Sequence, residues 1–396
     1  MFFSLAVILV FGLLAGALCR RLRLPALLGM LLVGIVTGPC VLNWIDDSIL
    51  GISGELRKIA LIIILMRAGL SLDTKKLKAL GRPAIFMCFI PACFEILGMV
   101  LLAPVFLGIT RLEAAIMGAV VGAVSPAVIV PKMLTLTEKG CGTKKGIPQL
   151  IMAGASVDDV FVIVIFTALT ALQQTGAVSA LSVVKIPVSL VLGIAAGALM
   201  GLILGRIFVK IHIRDTVKII VLLSIAFFFA AFEDNFGSII PFSAMIAVMS
   251  VGVSMQKVKP ALCERLSARC AKLWVFFEIL LFVLVGACID ITYIEKAGIP
   301  AVLLILAVLV FRMAGVLLCL IKTRLSAKER LFCMIAYMPK ATVQAAIGGI
   351  PLAMGLRCGE IVLTVAVLSI LITAPLGAWM IDLTYPKLLD KDGTGQ

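Results

Sequence analysis

The chain reads as an all-α polytopic membrane protein of about thirteen spans, arranged as two inverted repeats of six helices. Three observations predict this. Hydrophobic residues make up 62% of the 396 residues and charged ones only 14%, too few charges to cover a water-facing surface. Apolar runs of about 20 residues, the length that crosses a bilayer as a helix, recur along the chain. Two of those runs, one in each half, are interrupted by proline.

The spans fall near residues 2–18, 26–43, 57–71, 83–108, 112–136, 147–172, 187–208, 217–232, 238–254, 273–289, 299–321, 329–355 and 359–383. The first leads into Arg20, Arg21 and Arg23 rather than a small-residue cleavage site, so it is expected to be a mature span and not a signal peptide. The third is the shortest. Basic residues gather in the odd-numbered loops: Arg20/Arg21/Arg23, Lys75/Lys76/Lys78/Arg82, Lys139/Lys144/Lys145, Lys210/Arg214/Lys218, Lys257/Lys259/Arg265/Arg269/Lys272 and Lys322/Arg324/Lys328/Arg330. The even-numbered loops carry the acids Asp46/Asp47/Glu55, Glu113, Glu233/Asp234, Asp290/Glu295 and Glu360. By the positive-inside rule the amino terminus is outside, and the tail from Lys387 to Gln396 is cytoplasmic. The same bias explains the net charge of +14 with no nucleic-acid partner.

The fifth span contains Ser125-Pro126-Ala127-Val128-Ile129-Val130-Pro131, and the twelfth Met338-Pro339-Lys340-Ala341-Thr342-Val343-Gln344. Proline removes a backbone hydrogen bond and clashes with the preceding turn. Freed backbone groups are tolerated at that depth only against protein or a wet cavity. Broken helices in corresponding halves point to a secondary transporter. The two breaks lie an odd number of spans apart, which gives the halves opposite orientation. Within one membrane unit, 1–396, residues 1–186 form the first repeat (helices 1–6), 187–214 a linking helix 7, and 215–396 the second repeat (helices 8–13) with a short tail.

Charge at mid-depth carries the functional signal. Asp158 and Asp159 lie in the middle of the sixth span, where an ionised carboxylate costs at least about 2.5 kcal/mol. Two adjacent carboxylates also repel, so one holds its proton more tightly than a free carboxyl. Such a pair is kept when it binds something cationic: a proton, a metal cation or both in turn. Glu95, Arg312 and Lys340 fall at a similar depth, about 14–18 Å along their helices. Pairing across the bundle is then the least costly arrangement. Three acids face two bases, and one monovalent cation or proton balances the remainder. Arg312, always protonated, is expected to pair with Glu95. Lys340 can release a proton when a cation takes its carboxylate.

Other features carry less. Arg67 and Glu278 lie near cytoplasmic helix ends, where long side chains snorkel. His212, the only histidine, sits in a basic loop. Gly193, Gly197, Gly201 and Gly205 make a face for close helix packing, between copies or within one. The eleven cysteines are scattered without CxxC and imply neither a disulfide framework nor a zinc site. No Walker, HExxH, GxSxG or dinucleotide motif occurs, so transport would run on ion gradients, with no cofactor.

The segments MRAGLSLD (66–73), VGAVSPAVIVPKM (121–133), GIPQLIMAGASVDDVF (146–161) and MPKATVQAAIG (338–348) resemble the NHA branch of the cation/proton antiporter superfamily, sodium/proton exchangers with a paired-aspartate helix. LPALLGMLLVGIVTGP (24–39) fits the superfamily more loosely. The resemblance implies a core in which helices 5 and 12 cross at their breaks beside helix 6, a separate dimerisation domain and elevator-like alternating access. By position it makes Asp159 the main cation ligand and Asp158 the proton carrier paired with Lys340. It makes Glu95 and Arg312 a buried ion pair. Ser125, Pro126, Pro131, Pro339, Thr342 and Gln344 belong to the broken-helix motif. Without long hydrophilic tails, regulation through them is not expected, and a bacterial inner membrane suits the short termini.

The expected function is therefore sodium (or lithium)/proton antiport at Asp158 and Asp159, by a homodimer in lipid. The same machine moving potassium is the nearest alternative. A cation channel is a second, disfavoured by the broken inverted helices and buried lysine. An intramembrane aspartyl hydrolase is a third. Adjacent residues on one helix diverge by about 100°, which suits ligating one ion better than flanking a peptide bond. No enzymatic activity is expected.

Overall fold

A computed structural model describes residues 1–22, 24–71, 81–175, 180–211, 213–237, 240–289 and 291–391. Arg23, Lys75, Lys76, Lys78, His212, Asp290 and the tail beyond residue 391 lie outside the described residues. So does the end of the 66–73 segment.

Helices occupy the stretches read as spans: α1 (Phe2–Arg21), α2 (Ala26–Thr37), a short α3 (Asp47–Gly51), α4 (Ser53–Ser71), α5 (Arg82–Met87), α6 (Ile90–Leu107), α7 (Arg111–Val121), α8 (Pro126–Glu138) and α9 (Ile147–Thr175). There follow α10 (Ala180–Lys210), α11 (Asp215–Phe236), α12 (Ala244–Val258), α13 (Pro260–Ala287), α14 (Ile291–Leu320), α15 (Ala327–Ala336), α16 (Thr342–Ile347), α17 (Ile350–Ala353) and α18 (Gly359–Leu388). Among the described residues there is no β-strand, only an isolated bridge between Cys141 and Lys391. Among the described residues, nine helical stretches are long and apolar enough to cross a membrane, and three shorter apolar ones accompany them.

Several boundaries differ from the sequence reading, each for a local reason. The fourth span is stepped at Cys88–Phe89, because Pro91 starts a new helix there and proline is at home in a first turn. The third span folds as α4, but Glu55, Arg57, Lys58 and Arg67 keep it out of the nine. The basic loop expected before residue 273 is largely the start of α13, so Arg265, Arg269 and Lys272 ride on a helix.

The chain forms two compact units, Met1–Gly54 with Leu77–Leu169 and Ile279–Gln396, and Glu55–Lys76 with Thr170–Glu278. In the second, α10 lies on α12 through its glycine face. A Cβ at Gly193, Gly197 or Gly201 would fall 2.6, 2.2 or 2.3 Å from the carbonyl oxygens of Ser243, Ala247 and Val251. The glycine stripe therefore serves packing inside the unit. Arg67 and Glu278 are half-buried there. In the first unit, a core of Met133, Ile147, Ile151, Val316, Phe332 and Tyr337 joins α8, α9, α14 and α15.

Candidate functional site

The two broken spans meet in the first unit. In the fifth span α7 stops at Val121 and α8 starts at Pro126, so the helix opens before the first proline and not between the two. Pro126 takes the first helical position, where its missing N–H costs nothing. Pro131, exposed, sits inside α8, which continues past it. In the twelfth span α15 stops at Ala336, residues 337–341 are unwound, and α16 starts at Thr342. The Ser125 N–H donates to the Pro339 carbonyl at 2.8 Å, which fixes the crossing.

Opening a helix frees carbonyls that must find donors away from water. Here charged and amide side chains supply them. Gln344 Nε2 donates to Ala123 O at 2.8 Å and to Val121 O at 3.2 Å, while its Oε1 accepts from Ala341 N at 2.8 Å. Lys340 Nζ donates to Val121 O at 2.6 Å. Arg312 on α14 donates from Nη1 to Gly122 O and from Nε to Tyr337 O, the latter at 2.7 Å, so one guanidinium fastens both breaks. Asp158 on α9 accepts from Val124 N at 2.9 Å. The Lys340 N–H donates to Thr373 Oγ1 of α18 at 2.9 Å.

The charges form one network. Arg312 donates to Glu95 Oε2 and to Asp158 Oδ2, each at 2.7 Å. Lys340 Nζ donates to the same Glu95 oxygen. All are buried. Lys340 was expected on Asp158 and lies instead on Glu95. The cause is the guanidinium, whose five donors in a rigid fork span Glu95, Asp158 and both breaks. The ammonium, a point charge, joins at the Glu95 end, where Val121 O also accepts it. Tyr337 completes the arrangement. Arg312 lies over its ring at 5.4 Å, and its hydroxyl donates to Met87 O at 3.2 Å.

Asp159 stands apart. Among the described residues no base pairs with it, and its Oδ1 is buried without a hydrogen-bond partner. Asp158 Oδ1, Ser125 Oγ and Thr342 Oγ1 are likewise buried and unpartnered. Ser125 and Thr342 sit where each break re-enters helix, and Asp158 is bonded to the residue before Ser125. Unmet oxygens of this kind are what a dehydrated cation replaces its water with. Among the described residues no His, Cys, Asp and Glu cluster of the kind that holds a transition metal is present.

A signal that the sequence reading passed over places the central pair. Glu95 lies in Phe94-Glu95-Ile96-Leu97-Gly98 and Arg312 in Phe311-Arg312-Met313-Ala314-Gly315. The two helices use this repeat reciprocally. A Cβ at Gly98 would lie 2.8 Å from the Phe311 ring, and one at Gly315 would lie 3.1 Å from Phe94 Cβ. Each glycine admits the other helix's phenylalanine, so α6 and α14 approach closely enough for Glu95 and Arg312 to touch.

Comparison with known proteins places this geometry in a family. The family model described as "Sodium/hydrogen exchanger, transmembrane" matches residues 6–383. Sodium/hydrogen exchanger 9B2 of Xenopus tropicalis is 34% identical over 98% of this chain and 75% of its own length. Human sodium/hydrogen exchanger 9B1 is 31% identical over 98% and 78%. Among solved structures, the sodium proton antiporter MjNhaP1 of Methanocaldococcus jannaschii superimposes with a TM-score of 0.84, covering 97% of each chain at 22% identity, a likeness of fold. The chain belongs to the sodium/hydrogen exchanger family.

Proposed function

We propose that the protein exchanges Na+ or Li+ for H+ across the membrane by alternating access, with cation and protons competing at Asp158 and Asp159. The observation that carries this reading is the buried Asp159, which no base pairs among the described residues, together with the unmet oxygens of its neighbour Asp158 and of Ser125 and Thr342 at the two breaks. Three buried acids against two bases leave one negative charge for a single cation or proton to neutralise. Occupation by one excludes the other, and that competition couples the fluxes. Its relatives, sodium/hydrogen exchangers 9B2 and 9B1, are named for sodium and hydrogen, which supports the ion choice.

On this reading Asp159 is the principal cation ligand. Asp158, held by Arg312 and the Val124 N–H, ligates through its free oxygen. Lys340 and Arg312 fasten the crossing and set the charge, and ionic gradients do the work with no cofactor and no bond chemistry. The reciprocal Phe94/Gly98 and Phe311/Gly315 contact supports inverted repeats. We place the chain in the paired-aspartate branch, as a homodimer in a bacterial cell membrane. Its amino terminus is outside and its carboxyl terminus cytoplasmic, from the distribution of Lys and Arg.

The test is purified protein in liposomes carrying a pH dye, titrated with Na+, Li+ and K+. Proton movement driven by Na+ or Li+ is expected. A response to K+ alone selects the potassium exchanger, and cation flux without proton movement selects a channel.

A further inference from the structure

The outer end of α2 and the end of α13 are held together through glycines. A Cβ at Gly34 would fall 2.0 Å from Val283 O, one at Gly38 2.9 Å from the Ala287 Cα, and one at Gly286 2.2 Å from Leu31 O. The backbones are thus in direct contact, and each is followed by a cysteine. Cys40 lies in the turn after α2 and Cys288 in the turn after α13. Cys40 Sγ is 3.5 Å from the carbonyl oxygen of Ile289, the residue bonded to Cys288. Cys288 Sγ faces the Ser53 hydroxyl at 3.7 Å. Both thiols are free, Cys40 exposed and Cys288 partly so, whereas most of the other cysteines are buried. Both turns belong to the base-poor, acid-bearing loops.

We propose that Cys40 and Cys288 form a reversible disulfide that clasps α2 to α13 at the outer membrane face. The assignment to that face rests on the orientation given above. The compartment that it selects is the one in which disulfides persist. The oxidant is a small-molecule or protein disulfide. The exposed Cys40 thiolate attacks one of its sulfurs, forming a mixed disulfide and expelling a thiolate. Cys288 then attacks the Cys40 sulfur of that bond and expels the second thiolate. Two protein thiols lose two protons and two electrons, and the electrons reduce the oxidant's two sulfurs. Bridged cysteines need Cα atoms about 4.4–6.8 Å apart, a spacing that backbones in contact at positions 38 and 287 bring within reach two and one residues further on.

Purified protein is treated with oxidised glutathione, and its peptides are mapped without reduction. A peptide joining Cys40 to Cys288 is expected, with loss of two maleimide-reactive thiols and recovery on reduction. The oxidised wild type should unfold a few degrees higher in detergent. Cys40→Ser and Cys288→Ser should show neither the link nor the shift, while keeping cation-driven proton movement. Glutathione adducts on the two cysteines without a link, or no reaction at Cys40, overturns the clasp. In intact cells a membrane-impermeant maleimide should label reduced Cys40. A link that forms in purified protein while Cys40 stays unlabelled in cells overturns the outer-face assignment, and the orientation with it.

Discussion

Thr110-Arg111-Leu112-Glu113 and Ser326-Ala327-Lys328-Glu329 open the two broken spans with the same capping box, in which the hydroxyl and the glutamate satisfy each other's backbone N–H. A half-helix of 11 or 10 residues follows in each before the backbone opens. From there they diverge. The first break offers backbone: its freed carbonyls at Val121, Gly122 and Ala123 take donors from Lys340, Arg312 and Gln344. The second break brings the donors, since Lys340 and Gln344 are its own residues. The lesson is that a broken apolar helix is stable as half of a pair. One break supplies acceptors, the other positive charge, and the guanidinium on α14 spans both.

That division puts the largest expected effect at Arg312. Arg312→Met leaves Glu95 and Asp158 short of a partner and two carbonyls without a donor, and should cost about 3–5 kcal/mol of stability. Lys340→Met should cost less, because Arg312 still serves Glu95. Glu95→Gln with Arg312→Met should lose less than the two singles together. Unfolding in detergent measures this. Equal losses at Arg312 and Lys340, or strict additivity, would break the picture of one guanidinium fastening both spans.

Asp159 lies outside the network and should behave in the opposite way. Asp159→Asn should keep the fold and lose at least ~100-fold in sodium-driven proton movement, about 2.7 kcal/mol. In the wild type, lowering pH protonates the same carboxylates. The sodium concentration for half-maximal exchange should therefore rise as pH falls, up to about tenfold per unit where one proton competes. Dye-loaded liposomes at several pH values measure both, and a sodium requirement indifferent to pH would refute competition.

How much of this was legible in the sequence follows the physics of each feature. Spans and breaks were, because hydrocarbon thickness and proline act locally. That the charges within four of the spans would pair was too, since a charge inside an apolar span is costly until it finds a partner. The partner each base takes was not. Lys340 goes to Glu95 because Arg312 reaches Asp158, and that depends on donor geometry in three dimensions. The use of the Gly193–Gly205 stripe was equally open, because a small face packs as readily on a neighbouring copy as on α12. The Phe94/Gly98 and Phe311/Gly315 repeat and the paired capping boxes were visible as letters.

Gln344 and Ser125 test the break itself. Gln344→Ala removes the donor to Ala123 and Val121 and the acceptor for Ala341 N, leaving buried polar groups unmet. It should cost about 1–3 kcal/mol. Ser125→Ala removes a buried hydroxyl that has no hydrogen-bond partner. It should leave stability nearly unchanged and raise the sodium concentration needed for exchange. Loss of stability in Ser125→Ala with no change in sodium dependence would make Ser125 structural and take it out of the proposed ligand set.

The smallest effects belong to the capping boxes, where the two spans begin alike and the comparison is sharpest. Thr110→Ala and Ser326→Ala each remove one cap and should each cost about 1 kcal/mol. The glutamates should separate. Glu113 Oε2 accepts from the Thr110 N–H and hydroxyl at 2.8 and 2.7 Å, a local closure. Glu329 accepts from the Ser326 N–H at 2.7 Å and also takes Lys145 on both oxygens at 2.8 Å. The bond to Glu329 holds the Lys145 ammonium above its ordinary pKa. Lys145 stands in the loop between α8 and α9, 38% exposed, so that pair is screened by salt. Glu113→Gln should therefore lose the same stability at low and high salt. Glu329→Gln should lose more at low salt than at high. Thermal unfolding of both variants at two ionic strengths reads the difference. A salt-independent Glu329→Gln would mean that the second span, like the first, is closed by its own cap alone.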